Sequence, residues 1–159
     1  MPVPVPIPVT LTANLSGTVT NPVISLVASG DNAGLWDVTN QKLDLSGLPK
    51  APPPRVDVTI KIGTSTIPGT PPVNFPSTNP NEGITIKYKN NPNVDPPPGL
   101  FHDLLVSSDR QTLSFQDKNG DHGDYSFTVY FAIGPNGTVI HDPEIQNTGG
   151  LGGTGPKGR

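Results

Sequence analysis

The segment DKNGDHGDYSFTVYF, residues 117–131, concentrates oxygen-bearing side chains in a short stretch. Asp117, Asn119 and Asp121 stand at alternate positions, and Asp124 follows three residues later. Calcium is bound by carboxylate and amide oxygens, which alternate positions of a tight turn can direct toward one point. The spacing therefore predicts a calcium site formed by Asp117, Asn119, Asp121 and Asp124.

The same segment departs from the helical calcium-binding loop. That loop needs glycine at its sixth position and glutamate at its twelfth, where this chain has His122 and Thr128. The alternative is a corner before a strand, because Gly123 and Tyr125 are followed by alternating polar and apolar residues. The sequence leaves both interpretations open.

A second acidic motif, Asp142, Pro143, Glu144 and Asn147, follows a hairpin predicted within residues 130–141. Two carboxyl groups at this spacing can form an acid–base pair if their environments differ. The alternative is the end of a strand, because proline ends a hydrogen-bond ladder and aspartate often bonds the backbone two residues later.

No other catalytic arrangement is indicated. His102, His122 and His141 lie on separate segments without the spacing of a zinc site. No serine lies in a nucleophile elbow, and no glycine-rich phosphate loop precedes a helix. The chain has no cysteine, which excludes thiol catalysis and disulfides. We therefore expect a protein that is not an enzyme and needs no cofactor, calcium excepted.

Charge and hydropathy restrict the partners. The net charge is −3, and no basic stripe is available for a phosphate backbone, so we expect no binding of nucleic acid. No apolar run has the length of a membrane span. The start, MPVPVPIPVT, lacks the basic region of a signal peptide, and together with the absence of cysteine this predicts a cytoplasmic location.

Proline and glycine set the architecture. With 21 Pro and 18 Gly, long helices are excluded, and short β-branched or alternating segments remain. Such segments predict strands near 9–15, 22–28, 34–38, 56–62, 84–89, 101–106, 111–116, 124–132 and 137–141. They indicate one all-β domain over residues 1–147, an antiparallel β-sandwich with long proline-rich loops at 49–55, 68–83 and 90–99. Residues 148–159 predict a flexible Gly-rich tail.

Two features point to contact surfaces. Proline cannot donate to a ladder, so the proline-rich N-terminus predicts either an edge strand, with Val3, Val5, Ile7 and Val9 on one face, or a polyproline segment. Phe75 and Phe101 border proline-rich loops, where aromatic side chains often contact peptides or carbohydrates. The alternative for both rings is that they cover a sheet edge.

The corner and its neighbours resemble an immunoglobulin-like domain. Gly123 and Tyr125 are similar to the entrance of strand F, where a tyrosine hydroxyl caps upstream backbone, and residues 109–120 fit strand E. Phe127 takes the position of the second disulfide cysteine of antibody domains. Leu26 then lies on strand B, and Trp36 follows where such domains bury a tryptophan. The resemblance implies that Leu26, Trp36 and Phe127 form the core between the sheets.

The C-terminal segment YFAIGPNGTVIHDPEIQNTG, residues 130–149, resembles the DP-EP family of small bacterial proteins, which is named for a motif of this kind. It also resembles, more distantly, the end of AidA/PixA-type inclusion-body proteins, whose last strand runs into Asp-Pro. The resemblance implies an immunoglobulin-like sandwich and assigns no biochemical role.

These observations predict a non-enzymatic structural or interaction protein. We expect self-association into a homo-oligomer, or contact with a protein partner, through the N-terminal edge strand. The alternative is a ligand-binding module that takes calcium or a glycan at the 117–124 turn or the proline-rich loops.

Overall fold

The computed structural model describes residues 5–18, 20–50, 52–68, 73–91, 93–120, 123–133 and 137–148. In these residues the chain forms twelve strands, a 3-10 turn (Ala33–Leu35) and one α-helical turn, α1 (Pro80–Gly83). The strands are β1 (Ile7–Gly17), β2 (Pro22–Ser29), β3 (Trp36–Asp37), β4 (Lys42–Asp44), β5 (Val56–Ser65), β6 (Val73–Asn74), β7 (Ile84–Tyr88), β8 (Phe101–Val106), β9 (Thr112–Asp117), β10 (Asp124–Ile133), β11 (Thr138–His141) and β12 (Glu144–Gln146).

Each of the nine predicted strands overlaps an observed strand. Strands β4, β6 and β12 were not predicted, because two or three residues are too few to show a hydrophobic period. The helical turn was missed as well, although Asn79 and Pro80 are a typical N-cap and first helical residue. No helix in the described part of the chain has the length and apolar character needed to cross a membrane.

The strands form two sheets that pack as an all-β sandwich, which confirms the predicted fold class. The first sheet has the order β2-β1-β5-β9-β8. In the second sheet β10 is central, with β7 and β6 on one side and β11 and β12 on the other, followed by β4 and β3.

Most strand pairs are antiparallel, as the predicted antiparallel sandwich requires, but two pairs are parallel, so both sheets are mixed. β1 runs parallel to β5, and β4 runs parallel to β12. Parallel neighbours need long connections, and both pairs are separated by several intervening strands.

The immunoglobulin-like pattern appears in the strands that surround β10. β5, β9 and β8 are adjacent in the first sheet, and β7, β10 and β11 are adjacent in the second, as strands B-E-D and C-F-G are. The predicted strands E and F therefore correspond to β9 and β10. The prediction for strand B is wrong, because β5 pairs with β9 whereas β2 lies at the edge of the sheet.

The centre of the core is aromatic. Phe127 on β10 meets Phe115 on β9 edge to face, with ring centroids 6.2 Å apart. Trp36 on β3 is also buried, and its Nε1 donates to the carbonyl oxygen of Leu26 at 2.8 Å. All three residues expected in the core, Leu26, Trp36 and Phe127, belong to the buried hydrophobic cluster.

The N-terminal strand is not an edge strand. β1 pairs with β2 on one side and β5 on the other, because Val9, Leu11 and following alternate residues supply a fully buried face. Pro8 lies before the part of β1 that pairs with β2, so its missing donor interrupts no ladder bond there. Val5 is 82% exposed and does not share the buried face. Val3 lies outside the described residues.

Candidate functional site

The predicted calcium ligands have different surroundings. Asp117 ends β9 and is fully buried, and its Oδ1 accepts a hydrogen bond from the backbone N–H of Asn119 at 2.7 Å. Asp124 begins β10 and is exposed. Asp121 lies outside the described residues.

The amide of Asn119 connects three separate segments of the chain. Its Nδ2 donates to the carbonyl oxygen of Pro54 at 3.2 Å and to Oγ1 of Thr148, while its Oδ1 accepts from the backbone N–H of Thr148 at 2.6 Å. Thr148 Oγ1 donates to the carbonyl oxygen of Leu45 at 2.7 Å. Both polar atoms of Asn119 therefore bind the protein itself. The calcium site stays a prediction, and Asn119 has a structural role that does not need the ion.

Thr148 was assigned to the flexible tail, yet it is 3% exposed and held by these bonds. The ordered part of the chain therefore reaches at least Thr148. Residues 149–159 lie outside the described residues.

The residues before β10 pack as a corner. Tyr125 is fully buried, and its ring centroid lies 4.9 Å from those of both Tyr88 and Phe101. A Cβ at Gly123 would lie 2.5 Å from two carbons of the Tyr125 ring, so only glycine fits there. This packing favours the interpretation of the segment as a strand corner.

The motif at 142–147 joins β11 to β12. Asp142 Oδ1 accepts from Thr128 Oγ1 at 2.6 Å, whereas Glu144 pairs with Lys89 at 3.1 Å. The carbonyl oxygen of the buried Pro143 accepts from a backbone N–H of β10. The two carboxyl groups therefore bind different partners, and the backbone of the motif bonds β10. Both observations favour a connection between strands over an acid–base pair.

Asn147, the last residue of the motif, is 2% exposed and donates its backbone N–H to the carbonyl oxygen of Gly123 at 3.1 Å. The histidines are not brought together: His102 is on β8 and His141 on β11, in different sheets, and His122 lies outside the described residues. Within the described ranges, no three or more His, Asp or Glu side chains form a group that could hold a metal ion.

One lateral side of the sandwich is closed by a cluster that we call the Gln41 latch: the side chains of Gln41, Trp36 and His141 against the backbone of Leu26. Gln41 Oε1 accepts from the N–H of Leu26 at 2.8 Å and lies 2.9 Å from His141 Nε2. Burial lowers the pKa of His141, and the charge of Asp142 opposes this shift. The latch ties the edge of the first sheet to the second sheet.

The opposite side holds a cavity of about 370 Å³, which we call the β7–β8 groove. It runs between β7, an edge of the second sheet, and β8, an edge of the first. Its apolar lining is Ile84, Ile86, Phe101 and Leu104, and the loop Pro96–Gly99 forms one wall.

Of the two aromatic candidates for a contact surface, only Phe101 lines this groove. The prediction is wrong for Phe75, which is fully buried and packs on Phe131 with ring centroids 5.5 Å apart. The groove itself was not predicted. The sequence carried one signal for it, the run of three prolines at 96–98 before Phe101.

The edge of β7 presents backbone groups to the groove. Lys89 donates its N–H to the carbonyl oxygen of Asp124, so alternation directs the N–H groups of Lys87 and Thr85 toward β10 as well. The N–H and C=O of Ile86 consequently point away from β10. The positive charge of the neighbouring Lys87 is paired with the carboxylate of Asp95.

Comparison with protein-family models finds no matching family, and comparison with curated proteins finds no matching sequence. The resemblance to the DP-EP family therefore stays a prediction.

Proposed function

We propose that this protein is a non-enzymatic interaction module that binds an extended polypeptide segment in the β7–β8 groove. The observation that carries the proposal is the juxtaposition of an apolar floor with the outward N–H and C=O of Ile86. Among the described residues, no backbone group bonds this pair. A segment that adds to β7 would supply the missing partners.

Strand addition has two requirements, and the groove meets the first at Ile86, because the outward N–H groups of Ile84 and Tyr88 already bond the carbonyl oxygens of Pro80 and Val94. Main-chain hydrogen bonds supply affinity, and a pocket for alternate side chains supplies specificity. A volume of about 370 Å³ is at the lower end of the range for binding pockets. The residues that would contact them are Ile86, Phe101 and Leu104.

The polar groups beside the groove support contact rather than chemistry. Lys87 is paired with Asp95, and Thr85 Oγ1 lies 3.5 Å from the hydroxyl of Tyr130. Strand β8 contributes the side chain of Leu104 to the groove. Leu104 lies at a bulge, where it and Asp103 together face one residue of β9. A bulge hinders strand pairing along β8, so β7 is the edge that can accept a strand.

Two neighbouring leucines of β8 give a matched test. Leu104 lines the groove and is partly buried, whereas Leu105 is 63% exposed and does not line it. Peptides that bind the wild-type protein are selected from a random-sequence library. Their affinities for wild-type protein, Leu104→Glu and Leu105→Glu are then measured. We expect Leu104→Glu to weaken binding by at least tenfold and Leu105→Glu to leave it unchanged.

A backbone variant separates strand addition from simple apolar contact. Ile86→Pro removes the outward N–H and leaves the ladder to β10 intact, so it should also abolish binding. Light scattering of wild-type protein and Leu104→Glu shows whether the natural segment belongs to a second copy. If selection yields no peptide, or the selected peptides bind both glutamate variants equally well, the groove is not the contact surface.

A further inference from the structure

Strand β2 is an edge strand of unusual composition. Its sequence, PVISLVAS, has no charged residue, and Val23 and Val27 are 54% and 36% exposed. Proteins usually protect an edge strand with charges, prolines or bulges, since its backbone can pair with another chain. Apart from Pro22 at its start, β2 carries none of these in its own sequence.

The outward backbone groups of β2 follow from its pairing with β1. Leu26 lies opposite Ala13 on β1. Its N–H and its C=O both form hydrogen bonds with the side chain of Gln41, so they point away from β1. Alternation gives Ile24 and Ala28 the same direction. The edge therefore presents three residues at the spacing that an antiparallel strand would use.

The side chain of Gln41 covers the middle one of these three. Its Oε1 accepts from the N–H of Leu26 at 2.8 Å, and its Nε2 donates to the carbonyl oxygen of Leu26 at 3.1 Å. These two bonds are the pair that two directly opposite residues exchange in an antiparallel ladder. The amide of Gln41 thus occupies the position of a partner strand's backbone.

The remaining contacts hold the amide in this orientation. Gln41 Nε2 also donates to the carbonyl oxygen of Val38 at 2.8 Å. The carbonyl oxygen of Leu26 accepts a second hydrogen bond, from Trp36 Nε1. Because Gln41 Oε1 can only accept, His141 donates to it from Nε2. The backbone of Gln41 has a φ of 50°, a conformation that a turn rather than a strand provides.

We propose that β2 is a second interaction surface, fitted to the β2 strand of a second copy, and that the Gln41 amide covers it in the isolated chain. The two strands pair antiparallel about a twofold axis at Leu26, so that each Leu26 exchanges both backbone bonds with the other. Such an isologous contact needs one surface only, and the uncharged sequence places no repulsion across the axis. This proposal is independent of the β7–β8 groove.

The test removes the cover and measures mass by light scattering. Gln41→Ala should double the mass, whereas Gln111→Ala should not change it. Gln111 is a matched control, because its Nε2 also bonds a backbone carbonyl, that of Val73 at 2.9 Å, but away from β2. All variants are made in the Leu104→Glu background, so that association through the groove does not contribute.

A second change locates the new contact. The N–H of Ala28 points outward, so Gln41→Ala/Ala28→Pro removes a donor of the proposed interface without breaking the ladder to β1. This double variant should return to the mass of the parent. Hydrogen exchange at the Leu26 amide of Gln41→Ala should be at least tenfold slower at high than at low protein concentration.

Three results would overturn the proposal. The first is a folded Gln41→Ala with the mass of the parent, and the second is a dimer that persists in the double variant. The third is an exchange rate at Leu26 that does not depend on concentration. A thermal melt of each variant establishes that it is folded.

Discussion

The buried amide of Asn119 makes a quantitative prediction about stability. Replacing Asn119 by alanine removes two bonds from Nδ2 and one to Oδ1, and it leaves the carbonyl of Pro54 and the N–H of Thr148 without these partners. A hydrogen bond contributes about 0.5–1.5 kcal/mol, and a buried polar group left unpaired costs about 1–3 kcal/mol.

The backbone of Asn119 adds a smaller cost. Its φ is 59°, in the left-handed region, where alanine is less favourable than asparagine by about 1 kcal/mol. The sum for Asn119→Ala is about 3–6 kcal/mol, a large part of the roughly 5–15 kcal/mol that stabilises a typical domain. For a domain of this size that corresponds to a fall in Tm of about 6–24 °C.

Two further variants divide this cost. Asn119→Gly tolerates the left-handed backbone and loses only the amide, so it should be more stable than Asn119→Ala by about 1 kcal/mol. Asn119→Asp keeps the acceptor for Thr148 but loses both donors. The free energy of unfolding of each variant is measured by urea denaturation. If Asn119→Gly unfolds within 1 kcal/mol of wild type, the amide does not hold the three segments together and our reasoning is refuted.

Three other predictions concern the same corner and the latch. Gly123→Ala should destabilise by about 1–3 kcal/mol in urea denaturation, because its Cβ overlaps the buried Tyr125, while Gly120→Ala, with open space around it, should be neutral. Burial places the folded-state pKa of His141 below the unfolded value near 6.5. The stability that depends on a neutral His141 is therefore fully present above pH 6.5 and is lost as the pH falls toward the folded-state pKa. The free energy of unfolding should accordingly fall less steeply between pH 7.5 and 5 in His141→Gln than in wild type, and equal slopes would contradict this. Millimolar calcium should not shift the melt relative to chelator, because both polar atoms of the Asn119 amide already bond the protein itself. A site at 100 times its dissociation constant would add about 2.7 kcal/mol and raise Tm by about 5–10 °C, and a shift of that size would contradict the prediction.

The predictable part of this fold is the part that local pattern controls. Val56, Val58 and Ile60 alternate with polar residues and form the buried face of β5, and the same alternation located β10. Such segments can bury one face only as strands, so the sequence indicates them without knowledge of their partners. The motif from Asp142 was indicated as a strand end, although the short β12 beyond it was not.

The candidate sites were predictable only in part. Asn119 was singled out as a calcium ligand because its oxygen lies between two acids in sequence, yet its partners come from Pro54 and Thr148, which are distant in sequence. The β7–β8 groove depends on two edges from different sheets, and no pattern within either strand shows that its edge is open.

The sequence by itself determined that the chain is all-β, where most of its strands lie, and that glycine and proline end them, because these are properties of a few consecutive residues. The tertiary structure decided which strands lie at edges. β1 follows the proline-rich start of the chain and is enclosed, whereas the uncharged β2 lies at an edge, where Gln41 bonds the backbone of Leu26. The physical reason is that an edge is defined by the pairing of all strands in a sheet, and that pairing is set by long-range burial.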